Sequence, residues 1–342
     1  MRRICTCYTF AMQNLDFLAI GDTVVDDFIL LKDAKVHCDV DTDACTISMR
    51  WGDKIPFVSS TIVAGVGNSA NAAVSAARLG LNAALMATVG DDRDGEAVME
   101  HFDKERLSTA LITRAPGKST NHHYVLSYES ERTILVKPEP YDYVFPMDLP
   151  APKTVYLSSL GEAGEQYYAD MAAYLNEHPA IFFTFQPGTF QMNMGVEKLT
   201  PIYRRADLLV VNKEEAERIL KLPSGQEINA LLEALRALGP KHVIITDGRE
   251  GAYAFDGERT YRVPMYPDDR APFERTGAGD AFASTITAAI TMGLPFSDAL
   301  LWGPVNSMSV VQEVGAQAGL LTRAKLEEYL QRAPAEYLVT SL

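Results

Sequence analysis

The 342-residue sequence predicts an α/β fold, in which a mostly parallel central sheet is flanked by helices and carries an inserted small β-sheet lid. Three observations carry that prediction. Short apolar runs alternate with helical segments along most of the chain, which is the pattern of parallel strands joined by crossover helices. Two β-rich stretches of mixed polarity, approximately residues 28–63 and 120–137, interrupt the alternation near its start. Two glycine-rich turns each lead into a helix of small residues.

In chain order, "MRRICTCYTFAMQN" is too weakly apolar for a secretory signal peptide. Residues 1–11 are expected to be a leader outside the fold, with Met12 an alternative start just before the first strand. "LDFLAIGD" (residues 15–22) is a short apolar run ending in Gly-Asp, as suits a buried strand. "DFILLKDAKVHCDV", "ACTISMRWGDK" and "IPFVSSTIV" read as ribbons of a partly exposed sheet, and "TNHHYVLSYESERTILVK" as a hairpin closing at Glu129-Ser130-Glu131. Strand–helix alternation follows: "AALMATVG" before "DGEAVMEHFDKE", "TVYLSSL" before "GEQYYADMAAYLNEH", "ADLLVVN" before "KEEAERILKL", and "ALLEALRALG" before "HVIITDG". No repeat, low-complexity tract or Pro/Gly linker divides the chain. A single domain over residues 12–334 is therefore expected, with the two β-rich stretches forming its lid.

Composition narrows the function. A formal net charge of −14 argues against nucleic acid and against an anionic membrane surface, since both need clustered Lys and Arg. No apolar run reaches membrane-spanning length. Cys5, Cys7, Cys38 and Cys45 lack zinc-site spacing and read as reduced thiols of a cytoplasmic protein.

The first glycine turn, Gly65-Val66-Gly67-Asn68-Ser69-Ala70, fits the G-x-G-x-x-G/A fingerprint of a dinucleotide site, which keeps an NAD-dependent oxidoreductase open as a reading. In that site, however, the turn follows the first strand and an acidic residue stands about 20 positions on. Here a whole β-rich stretch intervenes, and the nearest acids, Asp91 and Asp92, come late and after a glycine. The second turn lies in "FERTGAGDAFASTITAAITMG" (residues 273–293). It would aim the backbone amides of Gly277, Ala278 and Gly279 at one point, where the helix dipole favours an anion. Asp280, in the first turn of the helix, is placed to take a proton from a nucleophile attacking that anion. Tight packing of a small-residue helix is the other reading of the glycines.

"ERTGAGDAF" resembles the D-T-x-G-A-G-D signature of the ribokinase-like (PfkB) carbohydrate kinases. "GVGNSANAAVSAARLG" resembles their G-G-x-x-A-N motif, which is followed by a helix ending in A-R-L-G. The likeness runs from residue 15 to about residue 330 and departs at Glu274-Arg275, where Asp-Thr is usual, and at Val66, where a glycine is common. It implies a ribokinase-like fold and an ATP-dependent kinase transferring the γ-phosphate to a hydroxyl of a small polyhydroxylated substrate: a sugar, a sugar derivative or a nucleoside. It also implies Mg²⁺.

The resemblance assigns roles residue by residue. Asp280 is the general base, and Gly277, Ala278 and Gly279 form the anion hole. Asp26 holds two substrate hydroxyls and Gly67 lets the backbone approach the sugar. Asn68 and Asn71 offer amides, which both donate and accept, although Asn68 could instead be an ordinary N-cap. Asn212 and Glu215 have capping-box spacing, and in relatives the same N-x-x-E organises the Mg²⁺ shell through water. Thr246, Gly248 and Gly251 belong to a turn passing under ATP, with a plain hairpin as the alternative. The Gly315-Ala316 loop closes the site. In relatives the carboxylate at the position of Glu274 takes part in a monovalent-cation (K⁺) site. His122 and His123 face opposite sides of a lid strand. Val36, Ile47 and Trp51 give the lid an outer face on which a second copy could pair as a homodimer. A nucleotide-binding protein without turnover is a further alternative, against which the intact Asp280 stands.

Overall fold

The computed structural model of the protein describes residues 14–38, 45–128, 131–273 and 275–342. Its frame is a ten-stranded sheet. From one edge it runs β7 (Ile112–Ala115), β6 (Ala83–Gly90), β1 (Phe17–Ile20), β10 (Thr154–Leu157), β11 (Phe182–Phe185), β12 (Leu208–Asn212) and β13 (His242–Thr246), all parallel. Antiparallel β14 (Ala252–Phe255), β15 (Thr260–Val263) and β16 (Thr340–Ser341) extend the other edge, so the chain beyond residue 334 contributes to the sheet. The central strands FLAI and TVYL are buried at every position, as strands covered on both faces must be. Their side chains alternate between two cores. Phe17 and Ala19 join the cluster under the helices Asn68–Arg78 and Ala278–Thr291, while Leu18 and Ile20 join the one under Glu165–Glu177, Val196–Arg205 and Ile228–Ala237.

The two β-rich stretches build one sheet, as the sequence predicts. Its order is β5 (Phe57–Val66), β2 (Val24–Leu31), β8 (His122–Tyr128) and β9 (Glu131–Leu135). The two stretches join through β2 and β8, which run parallel from Val25↔His122 to Leu30↔Ser127. Pairing starts at Val24, earlier than expected, so Asp26 lies within a lid strand and not in the loop at its root. A separate hairpin of β3 (Lys35–Cys38) and β4 (Cys45–Ser48) corrects the thiol expectation. Its register sets Cys38 opposite Cys45, and the two form a disulfide. The leader, Cys5, Cys7 and the turn residues Glu129 and Ser130 lie outside the described residues.

The chain passes from β1 to β6 on one side and later to β10 on the other. This topological switch leaves a crevice at the carboxyl ends of β1 and β10, where open α/β sheets bind ligands. Asp22 bridges that crevice. Its backbone amide donates to the Ser159 carbonyl (2.8 Å), and its carboxylate accepts from the Tyr143 hydroxyl (2.8 Å) and the Gly161 amide (2.7 Å). Burial outweighs these bonds and pushes the Asp22 carboxyl from 3.8 up to about 6.

That shift has a definite sign. A carboxyl that binds its proton more tightly folded than unfolded stabilises the fold below pH 3.8, and this contribution is lost as pH rises to about 6. Its size over the window is about 3 kcal/mol. Asp22→Asn should therefore gain stability relative to the parent, by up to that amount, between pH 4 and pH 7, as measured by urea unfolding at each pH. A parent–variant difference that stays constant across this range would contradict the assignment.

Candidate active site

The helix Ala278–Thr291 starts at Gly277, whose left-handed φ of 78° suits glycine. A Cβ there would also lie 2.4 Å from the Ala316 Cβ, so the glycine lets the turn seat on the 315–316 loop. The first helical bond runs from the Ala281 amide to the Gly277 carbonyl (2.8 Å), while Ala278 N leans toward the Arg275 carbonyl at 3.4 Å. Gly279 and Asp280 thus present the amides that have no carbonyl within the helix to meet. A Cβ on Gly279 would approach nothing closer than Gln186 Nε2, at 3.9 Å. Thr276 Oγ1 is buried at the same turn without a hydrogen-bond partner among the described residues. An open, donor-rich helix start of this kind fits an anion.

Asp280 is 7% exposed and is held by three amides. Asn68 Nδ2 donates to one carboxylate oxygen (2.8 Å), Asn71 Nδ2 to the other (2.8 Å), and Gln186 Nε2 lies 3.4 Å from the first. The two glycine signatures therefore meet at this carboxylate. Asn68 and Asn71, expected on substrate hydroxyls, hold the Asp280 carboxylate here. The N-cap of the Asn68–Arg78 helix is Gly67, and Asn68 is its first helical residue. Gln317 Nε2 donates to Asn71 Oδ1 (2.9 Å) and to the Gly65 carbonyl (2.8 Å), which fixes the Asn71 amide. Burial raises the Asp280 carboxyl above its ordinary value, against the pull of Asn71, Asn68 and Gln186. Burial thus outweighs the helix terminus, whose dipole favours the ionised form. Gln186, oriented by the Tyr156 hydroxyl, was not singled out from the sequence; its position at the end of an apolar strand, before Pro-Gly, was the available signal.

The first glycine turn is packed against protein. A Cβ on Gly65 would meet the His101 ring at 2.6 Å, and one on Gly67 the Asp22 carbonyl at 3.0 Å. That close approach of backbone to backbone is not a pyrophosphate cradle, which removes the support for an oxidoreductase. On the lid, Asp26 stands opposite His123, with Oδ1 3.4 Å from Nδ1, and this buried oxygen makes no hydrogen bond among the described residues. His122 faces the other way and pairs with Asp94 (2.8 Å).

On the far side of the helix start lies a cavity of about 490 Å³. Thr246, Gly248 and Gly251 line it together with Tyr266, Phe282 and Met308, and Ala278 and Gly279 border it. A Cβ on Gly248 would meet nothing, so the backbone there is open to a ligand. Gly251 has a second duty, since its φ is 92° and a Cβ would strike the Val263 carbonyl at 2.3 Å. The β13–β14 segment is thus both a hairpin and a cavity wall. Asn212 and Glu215 form the capping box: Asn212 Oδ1 accepts from the Glu215 amide (2.8 Å) and Glu215 Oε2 from the Asn212 amide (2.9 Å). Burial raises the Glu215 carboxyl, and the charge of Asp280 adds to the rise. A buried and a half-buried carboxylate that repel each other are a setting a cation would relieve. No group of three or more ligating side chains occurs among the described residues, so an ion here would rest largely on phosphate and water. Glu274 lies outside the described residues.

The chain is similar to the ribokinase of Bacillus subtilis (strain 168), at 26% identity over 287 residues, covering 82% of this chain and 92% of the relative. It is also 23% identical over 249 residues to a sugar kinase of Archaeoglobus fulgidus, covering 71% of this chain and 96% of that one. The fold matches the Arabidopsis thaliana ribokinase solved with ribose and ATP at a TM-score of 0.78 and 18% identity, covering 93% and 99% of the two chains. It matches the Methanocaldococcus jannaschii nucleoside kinase at 0.74 and 19%, covering 92% and 98%. Residues 59–323 match the pfkB family carbohydrate kinase model. With its fold, its glycine turn at a helix start and its buried carboxylate in the expected order, the chain belongs to the PfkB carbohydrate kinase family and is a phosphotransferase with an alcohol group as acceptor.

Proposed function

We propose that the protein transfers the γ-phosphate of ATP to a hydroxyl of a sugar, a sugar derivative or a nucleoside. The observation that carries this reading is the Asp280 carboxylate, locked by Asn68 and Asn71 at the start of a helix that borders a cavity of nucleotide size. Asp280 accepts the proton of the attacking hydroxyl, and its burial makes it a stronger base than a surface carboxylate. The helix start that follows Gly277 and Ala278 stabilises charge on the group in transfer, with Gly279 and Asp280 supplying its open amides. Asp26 offers the acceptor an oxygen that has no hydrogen bond among the described residues, beside His123, and the lid sheet keeps water from the site. Asn212 and Glu215 would hold Mg²⁺ through water, and the ion would neutralise phosphate charge. The relative solved with ribose and ATP supports ATP as donor, and the ribokinase and nucleoside kinase relatives support a ribose-bearing acceptor. Use of ATP supports a cytoplasmic location. Trp51, 98% exposed, and Val36, 49% exposed, support pairing of two copies through the lid hairpin.

Three measurements bear on this reading. Asp280→Asn should keep ATP affinity, by calorimetry, while turnover in an ADP-release assay across pentoses, hexoses, sugar acids and nucleosides falls about 10²–10⁴-fold. A variant within a few-fold of the parent would remove Asp280 from the chemistry. Glu215→Gln should raise the Mg²⁺ concentration for half-maximal rate while costing about 1 kcal/mol of stability, the value of a cap. An unchanged Mg²⁺ dependence together with a much larger stability loss would leave the residue a cap alone. In hydrogen exchange, the amides of β2, β5, β8 and β9 should gain protection together when acceptor binds, and less with ATP alone. Independent exchange of the two stretches would argue against a closing lid.

A further inference from the structure

The cavity beside the helix start is lined by two unlike sets of residues. One set suits a polyphosphate: the open backbone at Gly248 and the helix start at Gly279, with the exposed cations Arg249 and Arg275 close by in the chain. The other set is apolar. Phe282 of the Ala278–Thr291 helix and Met308 of the Trp302–Val310 helix belong to it, together with Tyr266, which follows β15. Three further lining residues, Pro264, Pro272 and Pro304, have no N–H to offer a ligand. Main-chain groups of the helical and strand walls are already engaged: the Ser307 carbonyl accepts from the Val311 amide (3.2 Å), and Ala252 pairs with Val263.

Among the described residues that line the cavity there is no Asn, Gln or His, so it lacks the amides that pair bidentately with one edge of a purine. Its uncharged hydrogen-bonding side chains are the hydroxyls of Thr246, Tyr266 and Ser307. The Tyr266 hydroxyl already donates to the Tyr329 carbonyl (2.8 Å). Those of Thr246 and Ser307 rotate to donate or to accept, so an amino group and an oxo group suit them equally. Asp268 is exposed, where salt and water screen its charge. Adenine, guanine and hypoxanthine have the same ring shape and differ in the groups on the edge. A wall that hydrogen-bonds one edge rejects the others about 10⁴–10⁵-fold, whereas an apolar wall separates near-isosteres by about 10²-fold or less. Resting on the kinase reading above, we propose that the donor site holds a purine by its shape without reading its edge, so that GTP and ITP serve as phosphoryl donors alongside ATP. With each donor the acceptor oxygen forms a bond to the γ-phosphorus and the bond from that phosphorus to the bridging oxygen breaks. The nucleoside diphosphate leaves, and the hydroxyl proton passes to Asp280. The base takes no part in that exchange, so its identity acts on donor KM more than on kcat.

The test uses the full chain with Mg²⁺ and its best acceptor from the panel, and the phosphorylated acceptor is quantified directly so that the readout is the same for every donor. The kcat/KM values for ATP, GTP and ITP should agree within about 10²-fold. Calorimetry should place the dissociation constants of ADP, GDP and IDP within the same range. A preference for one base beyond about 10²-fold in either measurement would overturn the proposal. Ser307→Ala adds a second check, because it removes a hydroxyl from the wall. It should move the ATP-to-GTP ratio by less than about tenfold, the worth of one net hydrogen bond. A larger shift would mean that the hydroxyl reads the edge, and would also overturn the proposal. Failure of the kinase reading looks different: none of the three triphosphates is consumed with any acceptor, while the affinities of the three diphosphates still decide whether the wall reads the base. If ATP alone serves as donor, the kinase reading stands and the proposal falls.

Discussion

The carboxylate of Asp280, clasped by the side-chain amides of Asn68 and Asn71, is the interaction on which the rest of the structure depends. A buried charge must be hydrogen-bonded, and here the donors come from a helix in the first quarter of the chain while the acceptor lies in the last. Meeting that requirement brings both helix starts to one place. The open amides of the helix start, the Asp280 carboxylate and the first glycine turn cannot then be positioned independently. Loss of either amide would leave a buried carboxylate oxygen with one fewer donor, so the contacts that hold the fold also fix this carboxylate in place.

Small residues make the clasp possible. Ala70, Ala73 and Val74 on one helix and Ala281, Ala283 and Ala288 on the other belong to a single buried cluster, and two helices lined this way approach closely. Ser75, Thr285 and Asn306 satisfy one another within that contact: Asn306 Nδ2 donates to Thr285 Oγ1 at 2.7 Å and the Leu321 amide donates to Asn306 Oδ1 at 2.9 Å. Gln317 continues the network from the closing loop to Asn71. The alanine-rich composition that resembles ordinary helix propensity in the sequence is thus a condition for the site.

The lid obeys a different constraint. Its strands carry exposed residues such as Ile62 and Val58 on β5 and Tyr124 on β8, and their order is held by main-chain pairing across long separations in sequence. A sheet with weak patterning is specified by its connections, and β2 and β5 are anchored where they leave β1 and enter the Asn68–Arg78 helix. Those anchors lie beside Asp22 and Gly67, at the switch point of the central sheet. Motion of the lid is therefore geometrically tied to the crevice where an acceptor would sit.

Sequence alone determined the features that depend on neighbours in the chain. Alternating apolar runs foretold the parallel sheet because both faces of each strand are covered, and the Asn212–Glu215 capping box was legible because its two bonds close within four residues. The glycine turn before Asp280 was legible because a left-handed start and a small-residue helix leave a local signature. Tertiary structure decided what depends on register and on distant partners. It turned Asn68 and Asn71 onto Asp280, brought Gln186 beside them, and set Cys38 against Cys45. It also raised the carboxyls of Asp22 and Asp280, since desolvation is a property of the surroundings and has no trace in the residue's own neighbourhood along the chain.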